Sequence, residues 1–505
     1  MIAPDPSQLG LRQTSGATPA RLDPAIGVSF PAFSLGPWFR KLFGKLFGTG
    51  LGFSVPALVA LSGCPGAHAP SVGCGKDIDC KGSRVCTDGA CVVAPLTGEA
   101  GEAPKHVLQP APEERSAAKP SAGQGERWFR GGPGHAGATT AIGPTVEPRI
   151  LWEVDLDAVV FATPTLVELE GELVAFVGTH GGRFVGVTVE GERAGELRFD
   201  LKLGGQVWGT AARSRPGADH TVLYVGNDED TLFAIDPSAE DPRGAKDGPA
   251  LLWRKRLGNC AQTHAPGPEG ARCDVDGGPT VGPDGDLFVG ADGVYRLSPE
   301  GDIRWHWPPE EVSERPKHVF STPVLTADGK VYFGGQDGNV TALDAETGEQ
   351  RWQYSVRADV DGSGVIGPEG AFFVGADDGR VHALRSDGSL RWSFVAQRDI
   401  RSSLGVGPDG SLYVSSFDGN LYSLEPSGEV AWVLPTGGII HASPVVDADG
   451  TVFVGSQDDH LYAVSPKGEV LWALDLGADI DSSVVISDSG VLIVGSDDGV
   501  LRALK

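Results

Sequence analysis

The chain has 505 residues, a formal net charge of −26, 73 Gly, 37 Pro and a single Met. So acidic a chain repels phosphate backbones, which excludes nucleic acid as a partner class and otherwise serves solubility. The glycine content is that of turn-rich β structure, and the length exceeds one ordinary domain unless the chain repeats itself.

Residues 1–39 show no periodicity. Arg40, Lys41 and Lys45 then precede an apolar run over residues 46–61, which ends in Leu61-Ser62-Gly63-Cys64. Basic, then apolar, then small residues make a secretory signal. An uncleaved transmembrane helix is the other reading of the same run. The ending resembles the bacterial lipobox. That resemblance implies lipidation of Cys64 and removal of residues 1–63, a leader and lipoprotein signal peptide. The expected place is then the outer membrane, on its periplasmic or surface side.

Residues 64–93 hold Cys64, Cys74, Cys80, Cys86 and Cys91; Cys260 and Cys273 lie in an insertion further on. A segment this small lacks a core, and in an oxidising compartment disulfides among Cys74, Cys80, Cys86 and Cys91 would staple it. Three pairings of the four are open. Zinc is the alternative, but the spacing lacks close Cys-x₂-Cys pairs. Cys260 and Cys273 are the remaining disulfide candidates. Residues 94–127 are rich in Pro, Ala, Glu and Ser, and are read as a disordered tether.

From about residue 146 to 505 one pattern repeats. Trp352, Trp392, Trp432 and Trp472 stand 40 residues apart. Between successive Trp residues lie four short β-branched or aromatic runs separated by Asp-Gly and Pro-Gly signals. Such signals mark tight hairpins, because Gly, Asp and Asn tolerate positive φ. Four antiparallel strands per unit, repeated radially, make a propeller blade. Weaker copies begin near Phe161, Trp208 and Gly278, with Phe199 in one Trp slot. The last copy, from Asp481 to Leu504, lacks its fourth strand, and Ile150-Leu151-Trp152-Glu153-Val154 supplies one. The expected fold is all-β: an eight-bladed β-propeller of four-stranded antiparallel blades, closed by its N-terminal strand, with no open edge between first and last blade.

One repeat position varies where its neighbours do not. The residue leading into each first strand is Phe161, Trp208, Asp276, Phe320, Asp361, Arg401, His441 or Asp481. First strands line a propeller's axis, so these eight are expected to ring one channel mouth and to hold a cation, a peptide segment or a flat cofactor. A bland reading stands beside this: a turn tolerates any polar residue. The Asp-x-Asp-Gly pieces at Asp359 and Asp447 lack the further ligands of an EF-hand, so they are turns and no metal site is expected. His382, in a Tyr slot, is read as a packing or surface residue.

The repeat, Val-Gly-Ser-x-Asp-Gly-x-Leu-Tyr-Ala-Leu followed by Gly and Trp, resembles the PQQ-type propeller repeat. It is clear over residues 320–505 and looser over 146–319. Two branches of that family bear on function. The BamB-like branch comprises lipid-anchored accessory proteins of outer-membrane barrel assembly. The other comprises quinoprotein dehydrogenases, which use pyrroloquinoline quinone (PQQ) with Ca²⁺. On this resemblance Trp152, Phe199, Trp253, Trp305, Trp352, Trp392, Trp432 and Trp472 dock between blades and bind no ligand. The adjacent-Cys disulfide that many such dehydrogenases place against the quinone is absent, and no Gly-x-Ser-x-Gly, His-Glu-x-x-His or P-loop motif occurs. The expected protein is therefore a non-catalytic, monomeric, lipid-anchored scaffold without cofactor that binds envelope proteins. A PQQ/Ca²⁺ dehydrogenase is the first alternative, and a surface adhesion or sensing protein the second.

Overall fold

The structure, a computed structural model, describes residues 84–87, 90–93, 137–215, 220–239, 250–258, 274–309 and 318–505. Cys64, Cys74, Cys80, Cys260 and Cys273, the leader and the tether lie outside them. Arg84–Thr87 and Ala90–Val93 form an antiparallel hairpin whose backbone register sets Cys86 opposite Cys91.

Eight four-stranded antiparallel sheets follow. Blades 1 to 7 take their strands in chain order. Blade 7, for example, runs Val445–Val446, Val452–Gly455, His460–Val464 and Val470–Asp475. Blade 8 has Val485–Ile486, Leu492–Gly495 and Val500–Leu504, and its outer strand is Ile150–Asp155. Ile150 lies opposite Leu504 and Asp155 opposite Val500, so the ring closes as the repeat count requires. The first strands are short, two residues in blades 2 to 8.

Two contacts recur between blades. A β-branched residue, fully buried, stands just before each first-strand lead-in: Val160, Val207, Val275, Val319, Val360, Ile400, Ile440 and Ile480. In most blades it presses on a glycine ending the second strand of the blade before. A Cβ on Gly375 would lie 2.2 Å from Ile400 Cγ2, and one on Gly495 2.2 Å from Val160 Cγ1. Further out, the Trp of one blade lies on the turn between strands three and four of the next. Trp392 Nε1 donates to Pro426 O at 3.1 Å and Trp432 Nε1 to Pro466 O at 3.0 Å, with the ring over Gly428 or Gly468. Trp152, Trp253, Trp305 and Trp352 repeat the bond on Val189, Pro299, Ala345 and Ser386. The expected docking role of the Trp slot is thus seen directly. Phe199 has no N–H to give; it packs in an aromatic group with Phe176 and Phe184.

Trp472 meets a different partner. Blade 8 has no such turn, because its third and fourth strands come from opposite chain ends. Residues 137–146 take its place. Trp472 Nε1 donates to Pro144 O at 2.8 Å, Thr139 N to Val446 O and Gly143 N to Asp447 Oδ2, and Ala141 enters the apolar core between blades 7 and 8. The packed propeller therefore begins ahead of residue 146. The Asp447 turn also takes N–H bonds from Asp449 and Thr451 on Oδ1, which is turn chemistry.

Gly428 has φ +89°, and an added Cβ would sit 2.6 Å from Trp392, whereas Gly329, at φ +80°, faces open space. Gly428→Ala should destabilise by roughly 2–4 kcal/mol and Gly329→Ala by about 1 kcal/mol, read as shifts in the urea midpoint. Equal shifts would mean the indole stack is not a constraint.

Candidate functional site

The lead-in residues sit where their buried β-branched neighbours hold them, and the fold brings several together. Phe161 of blade 1 meets Trp208 of blade 2 at 5.1 Å between ring centroids, and reaches His441 of blade 7 at 4.9 Å. The second contact skips blade 8, so aromatic side chains meet on this side of the mouth. Phe320 is buried and stacks on His318. Asp276 is half-buried.

A second ring, which the sequence reading passed over, interleaves with the first. It is the residue two after the second strand's terminal Gly or its equivalent: His180, Asp228, Asp292, Gln336, Asp377, Phe417, Gln457 and Asp497. In seven blades its backbone N–H donates to the carbonyl two residues ahead of its own blade's lead-in residue, as in Gln457 N to Ile439 O and Asp497 N to Asp479 O. In blades 1, 4, 5, 6 and 7 its side chain reaches the lead-in residue of the following blade. His180 lies 3.9 Å from Trp208 and Phe417 5.3 Å from His441. Gln336 Nε2 donates to Asp361 Oδ1 at 3.2 Å, and Gln457 Nε2 to both oxygens of Asp481 at 3.1 Å. Arg401 forms a bidentate pair with Asp377, at 2.9 and 2.7 Å, and lies over the Phe417 ring at 5.6 Å. The signal in the sequence was the same one that marked the first ring: a variable position at a 40-residue spacing.

Burial dominates the electrostatics. It pushes the Asp481 carboxyl well up, with nearby Asp497 adding to the effect and Gln457 opposing it. It pushes Asp479 up to about 6, helped by Asp459 and Asp458. Asp377 is raised by burial against the pull of Arg401, with Asp361 and Asp399 reinforcing the rise. The His441 imidazole is driven down to about 3 by burial and then by the Arg401 charge, so it is neutral at pH 7. Away from the mouth, His382 is buried and bonded to Asp378 and Tyr354, a packing role.

No group of three or more His, Cys, Asp or Glu among the described residues is arranged to hold a metal ion.

Geometry and repeat define the class: an eight-bladed propeller of PQQ-type repeats, with a mouth of two interleaved rings. The chain belongs to the family described as "Outer membrane protein assembly factor BamB", whose model matches residues 193–363, 244–395, 358–438 and 418–505. It is 32% identical over 146 residues to the outer membrane protein assembly factor BamB of Burkholderia pseudomallei (strain K96243), a match spanning 28% of this chain and 30% of that protein. Its fold is similar to that of BamB from Moraxella catarrhalis, with a TM-score of 0.53 and 16% identity over 71% of this chain and 97% of that one. It is also similar to a europium-containing methanol dehydrogenase, with a TM-score of 0.58 and 13% identity over 73% and 89%. At such identities the solved structures speak to the fold alone.

Folded-state pKa values raised above the ordinary aspartate value of about 4 mean that the native state keeps protons which the unfolded chain releases as pH rises. Stability from Asp481 and Asp479 is therefore present in acid and lost as pH climbs through that window. His441 works in the opposite sense, so a variant comparison is needed. Asp481→Asn should raise the urea midpoint more at pH 7.5 than at pH 4. An equal change at both pH values would mean that the carboxyl titrates normally.

Proposed function

We propose that this chain is a non-catalytic binding scaffold of the bacterial envelope, held at the outer membrane by a lipid on Cys64, and that it serves outer-membrane protein assembly by engaging partner proteins at its channel mouth. It acts as a monomeric propeller without a cofactor. Its Cys-rich segment is closed by disulfides among Cys74, Cys80, Cys86 and Cys91, with Cys260 and Cys273 forming a further pair. The observation that carries this reading is the aromatic mouth. Phe161, Trp208, His180, His441 and Phe417 meet ring to ring and offer aromatic surface flanked by carboxylates, the kind of surface that recognises a protein segment. Membership in the BamB family supports the envelope setting.

The competing reading, a PQQ-dependent dehydrogenase, rests on the likeness of fold to such enzymes and would use Trp208 with ring carboxylates such as Asp276. Two measurements on the full-length lipoprotein separate them. Affinity purification from detergent-solubilised envelopes should recover outer-membrane assembly proteins, in amounts reduced at least fivefold by Trp208→Ala. Addition of PQQ and Ca²⁺ should give no bound quinone absorption band and no dye-linked alcohol oxidation. A saturable band with turnover would overturn the scaffold reading, and so would recovery of the same proteins whether or not Trp208 is present.

A further inference from the structure

Five consecutive positions run along one arc of the mouth: Arg401, Phe417, His441, Gln457 and Asp481. Three of their polar atoms are buried and have no hydrogen-bond partner among the described residues: Arg401 Nη1, His441 Nε2 and Gln457 Oε1. The Arg401 side chain is 8% exposed, and its other nitrogens are committed to Asp377. Gln457 spends its amide N–H groups on Asp481, which leaves its carbonyl oxygen. With its proton on Nδ1, a neutral His441 ring presents the buried Nε2 as an acceptor. The Phe417 ring lies beside both the Arg401 guanidinium and the His441 imidazole, so the three side chains adjoin.

The arc thus offers one strong donor and two acceptors, walled by Phe417 and Phe161. An unmade hydrogen bond at a buried polar atom is costly, so a ligand that completes all three is selected over one that cannot. Charge narrows the class. Arg401 is already faced by Asp377 and Asp399, with Asp361 nearby, so an added carboxylate would meet net negative charge. An ammonium or guanidinium has no acceptor for Arg401 Nη1. What remains is a neutral group that carries a C=O and N–H groups together.

We propose that this arc of blades 6 and 7 receives the amide groups of an inserted peptide segment, with a carbonyl accepting from Arg401 Nη1 and N–H groups donating to His441 Nε2 and Gln457 Oε1. The proposal deepens the scaffold reading and rests on it: the mouth recognises a partner by its uncharged peptide amides.

The test uses the full-length protein and three small probes. N-acetylglycinamide is neutral, N-acetylglycine is anionic and glycinamide is cationic at pH 6.5. Titration is followed through the imidazole ¹⁵N signals of His441, assigned by their loss in His441→Phe. N-acetylglycinamide should shift those signals saturably, and the two charged probes at least tenfold more weakly. His441→Phe keeps the aromatic wall and removes the acceptor; it should weaken binding of N-acetylglycinamide at least fivefold by ligand-observed saturation transfer, with an unchanged melting midpoint. Arg401→Lys provides a second variant and should also weaken binding. Tighter binding of either charged probe, no saturable shift, or a water fixed at these atoms that the amide does not displace would overturn the proposal. If partner proteins still co-purify in a Trp208-dependent way while the amide fails to bind, the scaffold reading survives and this inference does not.

Discussion

The fold depends on one contact made again and again: an indole laid over a glycine in the neighbouring blade, its N–H tied to a carbonyl in the same turn. The glycine serves twice. Its positive φ shapes the turn, and its missing side chain leaves room for the ring, as at Gly428 under Trp392. Because each blade contacts chiefly its neighbours, the array would be a chain of weak links if its ends were loose. Two devices at the ends prevent that. Strand Ile150–Asp155 completes blade 8, and residues 137–146 stand in for the turn that blade 8 lacks, so Trp472 finds its carbonyl on Pro144.

The same regularity frees the mouth. Buried β-branched residues such as Val360, Ile400 and Ile480 wedge against the previous blade and fix the backbone, and the next residue is then held in place whatever its identity. Stability comes from the repeated positions, and chemistry is left to the varied ones. The mouth uses that freedom at a cost. It buries carboxyls whose charge is poorly solvated, a histidine kept neutral, and an arginine with a donor to spare. Such groups weaken a fold and are commonly found where something is bound.

Much of this was legible in the sequence. The 40-residue Trp spacing and the Asp-Gly turns specify four-stranded blades, and the missing final strand pointed to Ile150 as the closing element. The first ring was legible because Phe161, Arg401, His441 and Asp481 differ at a position whose neighbours do not. The second ring carries the same signal at Gln336, Asp377, Phe417 and Gln457. It went unread because residues after a second strand look like ordinary turn residues until a neighbouring blade is set beside them. Contacts across the axis, such as Phe161 with His441, depend on the channel's radius and the tilt of the blades, neither of which any local pattern encodes. The role of residues 137–146 was hidden for a related reason: they imitate a turn whose sequence they do not share.

On the proposed reading the mouth, and not the blade perimeter, is where this protein meets its partner. Photo-crosslinking in intact cells tests it most directly, with a benzophenone amino acid placed in turn at Trp208 and Asp361 on the mouth and at Leu252 and Ile303, exposed on outer strands. A discrete crosslinked envelope protein is expected from the mouth positions and none from the outer strands. Crosslinks confined to Leu252 and Ile303 would contradict it and would make the two rings a structural feature alone.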